Sequence, residues 1–599
     1  MTWELKNKIQ EILAKETGAQ CFAPGARRTF AFLYPNSYKV GMSNLGMHIL
    51  YQIINGRGDT ACERFFLPDG KTLAEYKRTK TPLMSMETQR QLADFEIIGV
   101  MMSFEMDYTN LLAMLQMSNI KLRAADRNEK EPLIVIGGPC ATFNPEPLAE
   151  VADVFVIGEG EEVINDLLDI VYKGREQGLG KEELLLNLAQ VEGLYVPRFY
   201  TPQYDADGNF TGMEHDSRVP AIVKRRWVRE LDKYPNTSAI LTSETEFQNM
   251  FIAEVARGCG RHCRFCMAGY CFRKPRARNY DLLLDKILNR PAVSEKVGLM
   301  GAAVSDYPQI HELTSALIQN KVPFTVASLR ADTLDSLLAD ALAQSGQQTM
   351  TVAPEAGSEK MRNIINKGIT EEDIYKAVTL AAASGMKNVK LYYMIGLPQE
   401  EDADVDEMTE MVRRIRKKMD EAGNKGDLII SVNAFVPKPF TPFQWHGQDT
   451  IPTLHAKQQH IKESITTRKI QFNYHDADTS YLEAVFARGD RKLCKAMEIA
   501  CEKGFHFDGW GDCFDLQKWL DIFEECGIDP TFYANRQRSF DEVFPWDHLD
   551  YGVTKDYLIK ECKKAYENTT TPHCRLKCNN CGAAKYGEGV CFEKRKSLV

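Results

Sequence analysis

The segment MFIAEVARGCGRHCRFC, residues 250–266, joins a short apolar run to three closely spaced cysteines. The apolar run predicts a buried strand, and the loop after it carries Cys259, Cys263 and Cys266 in the pattern Cys-x3-Cys-x2-Cys. Three thiolates at this spacing can hold three irons of a [4Fe–4S] cluster and leave the fourth iron open to a small molecule. Structural zinc is the alternative, with Cys271 as a fourth ligand, although zinc prefers four ligands in close Cys-x2-Cys pairs.

Strands and helices alternate from this segment onwards. The predicted strands are 250–255, 297–304, 323–328, 348–353, 389–395 and 428–434. The predicted helices lie between them, at about 280–290, 308–320, 332–344, 371–384 and 403–421. Six such units do not complete an eight-stranded barrel, but they suit a partial (β/α)6 barrel over residues 246–470. The site of such a barrel lies at the carboxyl ends of its strands, where the cysteine loop is placed.

The N-terminal part of the chain shows the same α/β alternation. A helix is predicted within residues 1–20. The predicted strands that follow are 29–33, 96–102, 133–136 and 153–157, and the predicted helices are 44–55, 84–93 and 108–118. This order predicts a doubly wound, Rossmann-like parallel sheet over residues 21–175. Gly137 and Gly138 follow one predicted strand and Gly158 follows another, at the edge where ligands of such sheets bind.

The rest of the chain is predicted to form a connector and a C-terminal region. Residues 176–245 carry mixed patterns with turn signals and predict a small β-rich connector. Beyond residue 470 the alternation ends, so residues 471–599 are predicted to be mostly helical, with helices near 491–503, 514–526 and 553–567.

A second cysteine group lies near the C-terminus. Its members are Cys574, Cys578, Cys581 and, ten residues later, Cys591. The first three repeat the x3/x2 spacing of the earlier loop, and a fourth thiolate makes a closed site. An auxiliary [4Fe–4S] cluster and structural zinc both fit. We favour the cluster, because iron–sulfur loading is already indicated elsewhere in the chain.

The composition is that of a soluble globular protein. The 599 residues are 44% hydrophobic and 26% charged, and the net charge of −9 gives no global sign of a nucleic-acid or membrane surface. The charged first ten residues do not form a secretion signal, and the apolar runs are too short to span a bilayer. Sixteen cysteines in a chain without a leader predict a reducing, cytoplasmic location.

The cysteine loop, with an aromatic residue before its third cysteine, resembles the radical S-adenosylmethionine (radical SAM) superfamily. The resemblance implies that SAM chelates the open iron, accepts one electron and yields a 5′-deoxyadenosyl radical. It also implies a small electron-donor protein of the flavodoxin or ferredoxin type. Its SAM contacts would be Phe265, Gly301, Ser328, Arg330, Glu355, Gly396 and Pro398. The usual glutamate after the second strand is missing, so backbone carbonyls, or Ser305 and Asp306, would bind the amino group of SAM instead.

The N-terminal domain resembles the cobalamin-binding domain that precedes many radical SAM cores. Tyr34-Pro35, Val40-Gly41, Gly137, Gly138 and Gly158 would then face the corrin ring. The Asp-x-His-x-x-Gly signature of a cobalt-ligating histidine is missing from the sequence, and His48 is predicted to be a core or surface residue. The order of domains resembles a subfamily of B12-domain radical SAM proteins with a C-terminal cysteine tail. Residues 355–367 and 435–443 also resemble the branch that contains the tRNA methylthiotransferases.

These patterns predict an enzyme that cleaves SAM reductively and modifies an unidentified substrate by radical chemistry. Methyl transfer through cobalamin is one outcome, and another radical modification is the second. Sulfur insertion with an auxiliary cluster is an alternative reaction. A non-catalytic iron–sulfur or zinc scaffold is an alternative from a different class.

Overall fold

The computed structural model describes residues 2–586, so the predicted ligand Cys591 lies outside the described residues. The chain forms two compact units. Unit 1 comprises Met1–Asn249, Val485–Tyr533 and Asp541–Tyr551. Unit 2 comprises Met250–Ala484, Ala534–Phe540 and the chain from Gly552 onwards. The predicted C-terminal domain 471–599 is therefore not a separate body, because its segments complete the cores of both units.

The first half of the chain supplies most of unit 1. Residues 2–249 contain α1 (Thr2–Leu13), β1 (Arg28–Tyr34), α2 (Tyr38–Gly41), α3 (Leu45–Gly56), β2 (Thr60–Phe66), α4 (Gly70–Thr79), β3 (Ile97–Met101), α5 (Tyr108–Met117), β4 (Leu133–Gly137), α6 (Pro139–Phe143), β5 (Val154–Val156), α7 (Gly160–Glu176), α8 (Lys181–Ala189), β6 (Leu194–Tyr195), β7 (Tyr200–Tyr204), β8 (Phe210–His215) and β9 (Val223–Lys224).

The sheet of unit 1 has the order β2-β1-β3-β4-β5-β6, in which every pair except β5–β6 is parallel. The four strands predicted here are confirmed as β1, β3, β4 and β5. Strand β2 was not predicted, because Glu63 and Arg64 interrupt its apolar pattern. Both are buried and paired: Arg64 contacts Glu16 and Glu87, each at 2.6 Å, and Glu63 accepts from Ser85. Charges that are paired in this way can occupy a buried strand.

One predicted helix of unit 1 is wrong. Residues 84–93 form a tight loop in which Met84 bridges Gln91, and Ser85 and Arg90 exchange hydrogen bonds of 2.9 and 3.1 Å. The helix before β3 is α4 instead. The predicted connector 176–245 also differs from the structure, because it belongs to unit 1 and contributes the end of α7, α8, the sheet strand β6 and the hairpin β7–β8.

Residues from 250 onwards supply unit 2 and the segments that return to unit 1. They contain β10 (Met250–Glu254), β11 (Ala256–Arg257), α9 (Ala268–Cys271), β12 (Arg276–Ala277), α10 (Tyr280–Leu288), β13 (Lys296–Met300), α11 (Ile310–Gln319), β14 (Phe324–Val326), α12 (Ser336–Gln344), β15 (Thr349–Glu355), α13 (Glu359–Ile364), α14 (Glu371–Ala383), β16 (Asn388–Ile395), α15 (Asp402–Glu421), β17 (Leu428–Ala434), α16 (Ile451–Ser464), β18 (Ile470–Tyr474), α17 (Ala477–Ala487), α18 (Leu493–Glu502), α19 (Leu516–Glu525), α20 (Pro530–Ala534), β19 (Leu549–Asp550) and α21 (Lys555–Tyr566).

Unit 2 is built on two parallel sheets, β10-β13-β14 and β15-β16-β17-β18. A parallel bridge between Leu329 and Val352 joins them, so seven strands follow one another in an open array. The six predicted strands and the five helices between them are confirmed. The seventh strand, β18, lies beyond the predicted boundary at residue 470. It was missed because its sequence, IQFNY, is mostly exposed and lacks an apolar run.

The strands of unit 2 are buried on one face and partly open on the other. Along β15 and β16 the residues alternate strictly between buried and partly exposed, as expected when helices cover one face of a sheet. Local signals fix the helices between the strands: Thr370 and Asp373 form a capping box for α14, and the Asp335 side chain caps α12. None of the helices among the described residues is long and apolar enough to cross a membrane.

Candidate active site

The loop after β10 brings Cys259, Cys263 and Cys266 together at the carboxyl edge of the unit 2 sheet. Cys263 is buried, and the other two are partly buried. Burial, followed by the proximity of Cys263 and Cys259, raises the pKa of the Cys266 thiol to about 12. Thiols that raise one another's pKa in this way lie close together, and a bound cation would relieve the repulsion between their thiolates.

The sulfurs of the two motifs are not gathered as closely as the ligands of one zinc ion. Ligands of one tetrahedral zinc ion, with Zn–S bonds of about 2.3 Å, lie within about 4 Å of one another. In the described part of the chain, the groups whose ligand atoms all lie within 4.8 Å are Glu150 with Cys494 and Glu498, and an exposed group at His455, Asp476 and Asp478. Neither cysteine motif is among them.

Residues 557–574 of the C-terminal segment form hydrogen bonds with residues 260–264 of the cysteine loop. The residues between the cysteines make this contact: the Gly260 carbonyl accepts from the Cys574 amide at 3.0 Å, and the His262 ring lies 2.7 Å from the Tyr557 hydroxyl. The fully buried guanidinium of Arg264 donates to the Thr569 carbonyl and to Glu561, at 2.6 and 3.3 Å. These bonds fix the backbone of the loop between its cysteines.

Charged side chains form a continuous network in front of the loop. Arg261 contacts Asp306 at 2.9 Å and Asp332 at 3.1 Å, and Asp332 contacts Arg330 at 2.9 Å. Arg330 also donates to the Lys367 carbonyl at 2.9 Å. The predicted SAM contact Arg330 thus lies here, whereas Asp306, predicted as a substitute for the missing glutamate, is engaged by Arg261. Ser305 is likewise engaged and accepts from Thr333 at 2.7 Å.

Glu355 completes this edge with an unusual backbone. It ends β15 at a register shift with a φ of +67°, in the left-handed region that non-glycine residues rarely adopt. Its carboxylate contacts Lys367 at 3.0 Å, and the Lys367 ammonium lies 5.9 Å from the centre of the Phe265 ring. The predicted residues Glu355 and Phe265 are therefore brought together by Lys367, which the sequence did not single out. Backbone strain of this kind is typical of ligand sites.

The remaining predicted SAM contacts also follow strands at the carboxyl edge. Gly301 comes after β13, Ser328 after β14, and Gly396 and Pro398 after β16. Ser328 is exposed, whereas Gly396 and Pro398 are buried. Gly396 has a φ of +76°, and its amide donates to Glu400 at 2.7 Å, which explains why a glycine stands at this turn. The edge thus gathers the cysteines and every predicted contact residue on neighbouring strand ends.

Comparison with known families assigns the chain to a superfamily. Residues 253–412 match the model described as the radical SAM superfamily, and residues 46–197 match the model described as radical SAM proteins, N-terminal. The chain belongs to the radical SAM superfamily. It is accordingly an enzyme, and the hypothesis of a non-catalytic scaffold is not retained.

Several curated proteins are similar to this radical SAM chain. The uncharacterized protein MJ0966 of Methanocaldococcus jannaschii is 28% identical over 503 residues, which cover 84% of this chain and 98% of that protein. The uncharacterized methyltransferase PH0819 of Pyrococcus horikoshii is 24% identical over 47% of this chain and 58% of its own length. The tRNA-2-methylthio-N(6)-dimethylallyladenosine synthase of Chloroherpeton thalassium is 22% identical over 41% of this chain and 54% of its own.

Solved structures with a similar arrangement include two radical SAM enzymes. The radical SAM methyltransferase TsrM from Kitasatospora setae aligns at 14% identity with a TM-score of 0.46, covering 69% of this chain and 74% of that chain. The cobalamin-dependent radical SAM enzyme OxsB aligns at 14% identity with a TM-score of 0.47, covering 90% and 79%. At these values, the assignment to the superfamily rests on the family models.

The predicted ligand glycines of unit 1 lie in tightly packed turns at the edge of its sheet. A Cβ on Gly138 would lie 2.5 Å from the Met102 carbonyl oxygen, and one on Gly158 would lie 2.3 Å from that of Arg226. Both glycines, with φ near +100°, are therefore required by contacts inside unit 1. Gly137 lies just before this turn, at the end of β4.

Polar residues that the sequence did not single out lie at the switch point of the unit 1 sheet. This point falls between β1 and β3, whose following connections leave in opposite directions. Asn36 and Asn110 donate to the buried Asp107 at 2.7 and 3.0 Å, and Asn44 donates to Ser103 at 3.3 Å. Burial raises the pKa of Asp107 to about 7. The Asn36–Asp107 and Asn44–Ser103 pairs lie 71 and 59 residues apart, so no local pattern marks them.

His48, the predicted core histidine, is buried in unit 1. Its Nε2 lies 2.9 Å from the Met42 carbonyl and its Nδ1 accepts from the Ile240 amide at 3.4 Å. Burial lowers the pKa of His48 to about 4, so the ring is neutral. Because both nitrogens are used inside the unit, His48 is not available as a metal ligand.

Proposed function

We propose that this radical SAM enzyme cleaves SAM reductively at a [4Fe–4S] cluster held by Cys259, Cys263 and Cys266. The observation that carries the proposal is the convergence of these three thiols with Glu355, Lys367 and other charged residues on neighbouring strand ends. The cluster would supply one electron to the sulfonium of SAM, so that the C–S bond breaks into methionine and a 5′-deoxyadenosyl radical.

The protein would bind and orient SAM in this reaction. Arg330 is suited to the carboxylate of SAM through Nη1, since its Nε and Nη2 already donate to Asp332 and to the Lys367 carbonyl. Glu355 and Ser328 are suited to the ribose hydroxyls, and the turn from Gly396 to Pro398 to the adenine. The Phe265 ring would help to exclude water from the radical.

Anaerobic reconstitution tests the proposal. The full chain is loaded with iron and sulfide, reduced with dithionite, and assayed for 5′-deoxyadenosine and methionine by chromatography. We expect SAM-dependent formation of both products. A fully loaded protein that forms neither would contradict the proposal.

We further propose that unit 1 binds cobalamin and that the reaction is methyl transfer to carbon. The proposal is supported by the resemblance of the N-terminal domain to cobalamin-binding domains and by the polar switch point at Asn44 and Ser103. Because His48 is used internally, cobalamin would bind without this histidine on cobalt. The test is to reconstitute the protein with iron, sulfide and hydroxocobalamin, desalt it, and measure its cobalt content and visible spectrum. A protein that holds its iron–sulfur clusters but retains no cobalt would contradict the proposal.

Sulfur insertion is the second candidate reaction. It is favoured by the position of Cys574 against the radical SAM loop and by the likeness to a methylthio-transferring synthase. It requires an open iron at the second site. In a variant without Cys259, Cys263 and Cys266, hydrosulfide should change the electron paramagnetic resonance (EPR) spectrum of the second cluster if that iron is open. An unchanged spectrum would set this reaction aside.

A further inference from the structure

One face of the β15–β18 sheet of unit 2 is open and polar. Along β15, β16 and β17 buried residues alternate with more exposed ones, and the more exposed positions form this open face. The interior of a complete eight-stranded barrel is filled by layers of branched apolar side chains. The middle of the open face carries polar side chains instead, here called the donor group: Thr351, Lys390, Tyr392 and Ser431. An apolar core therefore does not fill this part of the sheet.

The register of the strands makes the members of the donor group neighbours. Thr351 lies opposite Lys390, and Tyr392 lies opposite Ser431. Strands that pair in this way are about 4.8 Å apart. Lys390 and Tyr392 are two residues apart on the same face, and the Lys390 ammonium lies 4.8 Å from the centre of the Tyr392 ring. One small chemical group can therefore contact all four side chains.

The donor group is not neutralised within the described residues 2–586. Lys390 has no ion pair there, and the three hydroxyls have no hydrogen-bond partner there, although all four residues are partly buried. An ammonium carries three hydrogen-bond donors and no acceptor, and each hydroxyl adds one donor. Lysine is seldom buried without a partner. The chemical group that complements such a set is an anion with several oxygen acceptors, because its hydrogen bonds to the ammonium are charge-assisted.

The donor group lies below the edge to which SAM binding is assigned. Glu355, a proposed ribose contact, pairs in register with Tyr393, which directly follows Tyr392. With a rise of about 3.3 Å per residue, Lys390 is about 10 Å below the level of Glu355 along the strand. The carboxylate of SAM is assigned to Arg330, on a different strand end. The donor group is therefore available to a second molecule that extends from Lys390 towards the edge.

We propose that the donor group binds an anionic oxygen group of the substrate, so that the molecule modified by this enzyme carries a phosphate or a carboxylate. This inference rests on the proposed SAM cleavage and names the class of its substrate. Lys390 supplies the charge, and the hydroxyls of Thr351, Tyr392 and Ser431 orient the oxygens by donating to them. A wholly apolar substrate is disfavoured, because it would shield these donors from water without offering them an acceptor.

Competitive labelling of lysines tests the proposal. The full chain, reconstituted but not reduced, is treated with N-hydroxysuccinimidyl acetate in increasing inorganic phosphate or sodium acetate, with sodium chloride holding the ionic strength constant. Mass spectrometry of peptides gives the acetylation rate of each lysine. At least one of the two anions should slow the labelling of Lys390 at least about fivefold, and the effect should saturate. The matched control is Lys376, an exposed lysine on α14, whose rate should not change.

The two anions identify the group that the substrate carries. Protection by phosphate alone assigns a phosphate, and protection by acetate alone assigns a carboxylate. If both protect, the anion with the lower half-protecting concentration makes the assignment. If neither slows Lys390 more than Lys376, Lys390 is an ordinary hydrated lysine and the proposal is overturned. Protection that disappears when SAM is added would assign the donor group to SAM itself and would also overturn it.

Variants of the hydroxyls test whether the side chains act together. Ser431→Ala and Tyr392→Phe each remove one donor and should raise the half-protecting concentration at Lys390 at least about threefold. Thr379→Val, which removes an exposed hydroxyl from α14, should leave it unchanged. An unchanged value in both open-face variants would overturn the proposed group. The labelling needs no turnover, so a chain in which Lys390 is protected but dithionite yields no 5′-deoxyadenosine would contradict the proposed function and not the anion site.

Discussion

The two cysteine motifs have the same spacing and very different surroundings. Cys259, Cys263 and Cys266 follow a buried strand, at an edge where charged residues follow three further strands. Cys574, Cys578 and Cys581 follow the helix α21, with an exposed member and a wall supplied by the loop of the first motif. The comparison teaches that the x3/x2 spacing predicts a cluster, whereas the element before it decides whether a substrate-binding edge lies beside that cluster.

The largest expected effect is the difference in activity between a variant of the first motif and a variant of the nearby Cys271. We expect Cys263→Ala to lower 5′-deoxyadenosine formation at least about 10³-fold, because it removes an iron ligand that acts only as part of the set. Chromatographic product analysis under dithionite measures this. Cys271→Ala, which changes a buried cysteine five residues beyond the motif, should retain most of the activity. Equal activity of the two variants would contradict the assignment of Cys263, and not Cys271, as an iron ligand.

Thiol alkylation of the metal-free protein sharpens the comparison. With a pKa raised to about 12 by burial and by its neighbouring thiols, Cys266 is about 10⁻⁴ ionised at pH 8, roughly 10³-fold less than an ordinary cysteine. Iodoacetamide should therefore modify Cys578, which is exposed, well before Cys266. Because the pKa is raised, the rate at Cys266 should increase tenfold per pH unit from pH 8 to 11. Mass spectrometry of peptides measures both rates, and a rate independent of pH would contradict the assignment.

The contact between the C-terminal segment and the first motif can be broken at Glu561. This carboxylate is fully buried and contacts Arg264, Lys564 and Thr571. We expect Glu561→Gln to lower the free energy of unfolding by about 3–5 kcal/mol, because it leaves the buried Arg264 charge uncompensated. Urea unfolding measures the change. Glu567→Gln, on the exposed end of the same helix, should change it by less than about 0.5 kcal/mol.

The smallest expected effect is a change in the KM for SAM. It concerns the charged residues beside the first motif, which have no counterpart beside the second. Lys367→Met removes the partner of Glu355 and should raise the KM for SAM about tenfold, equivalent to about 1.4 kcal/mol. Lys360→Met alters a lysine on helix α13. Its partners are Glu401, just before α15, and Asp404 of α15, and the change should leave the KM near that of wild type. A KM unchanged in Lys367→Met would remove Lys367 from the SAM site.

Sequence patterns predicted the parts of this fold that rest on local regularity. The apolar runs of β10, β13, β14, β15, β16 and β17 predicted six strands of unit 2, and the spacing of the cysteines predicted the loop. The pattern failed at β2, where Glu63 and Arg64 are paired inside the core, and at β18, which is largely exposed. Buried ion pairs and polar edge strands do not produce the periodicity from which strands are predicted.

The site was predicted only where its residues form a motif or follow a strand. Cys259 and Glu355 were found in this way. Lys367, Asp332 and His262 were not, because their partners lie on other elements or far along the chain. The run of basic residues in the loop, Arg261, His262 and Arg264, was the available signal, since each of these side chains needed a partner that the loop itself does not supply.

The path of the chain between the two units affects how the enzyme is made. Unit 1 receives α18 and α19 from residues 485–533, and Trp519 of this segment packs on Phe486, which in turn contacts Tyr108 of α5. A ribosome releases the N-terminal 249 residues long before these partners emerge, so vectorial synthesis cannot finish unit 1 first. The contacts of α21 with the cysteine loop, made by Tyr557 and Glu561, form later still. The cysteine loop therefore gains the contacts that fix its backbone only after α21 has been synthesised, and a product truncated before residue 485 would leave the unit 1 surface that packs on α18 and α19 exposed to chaperones.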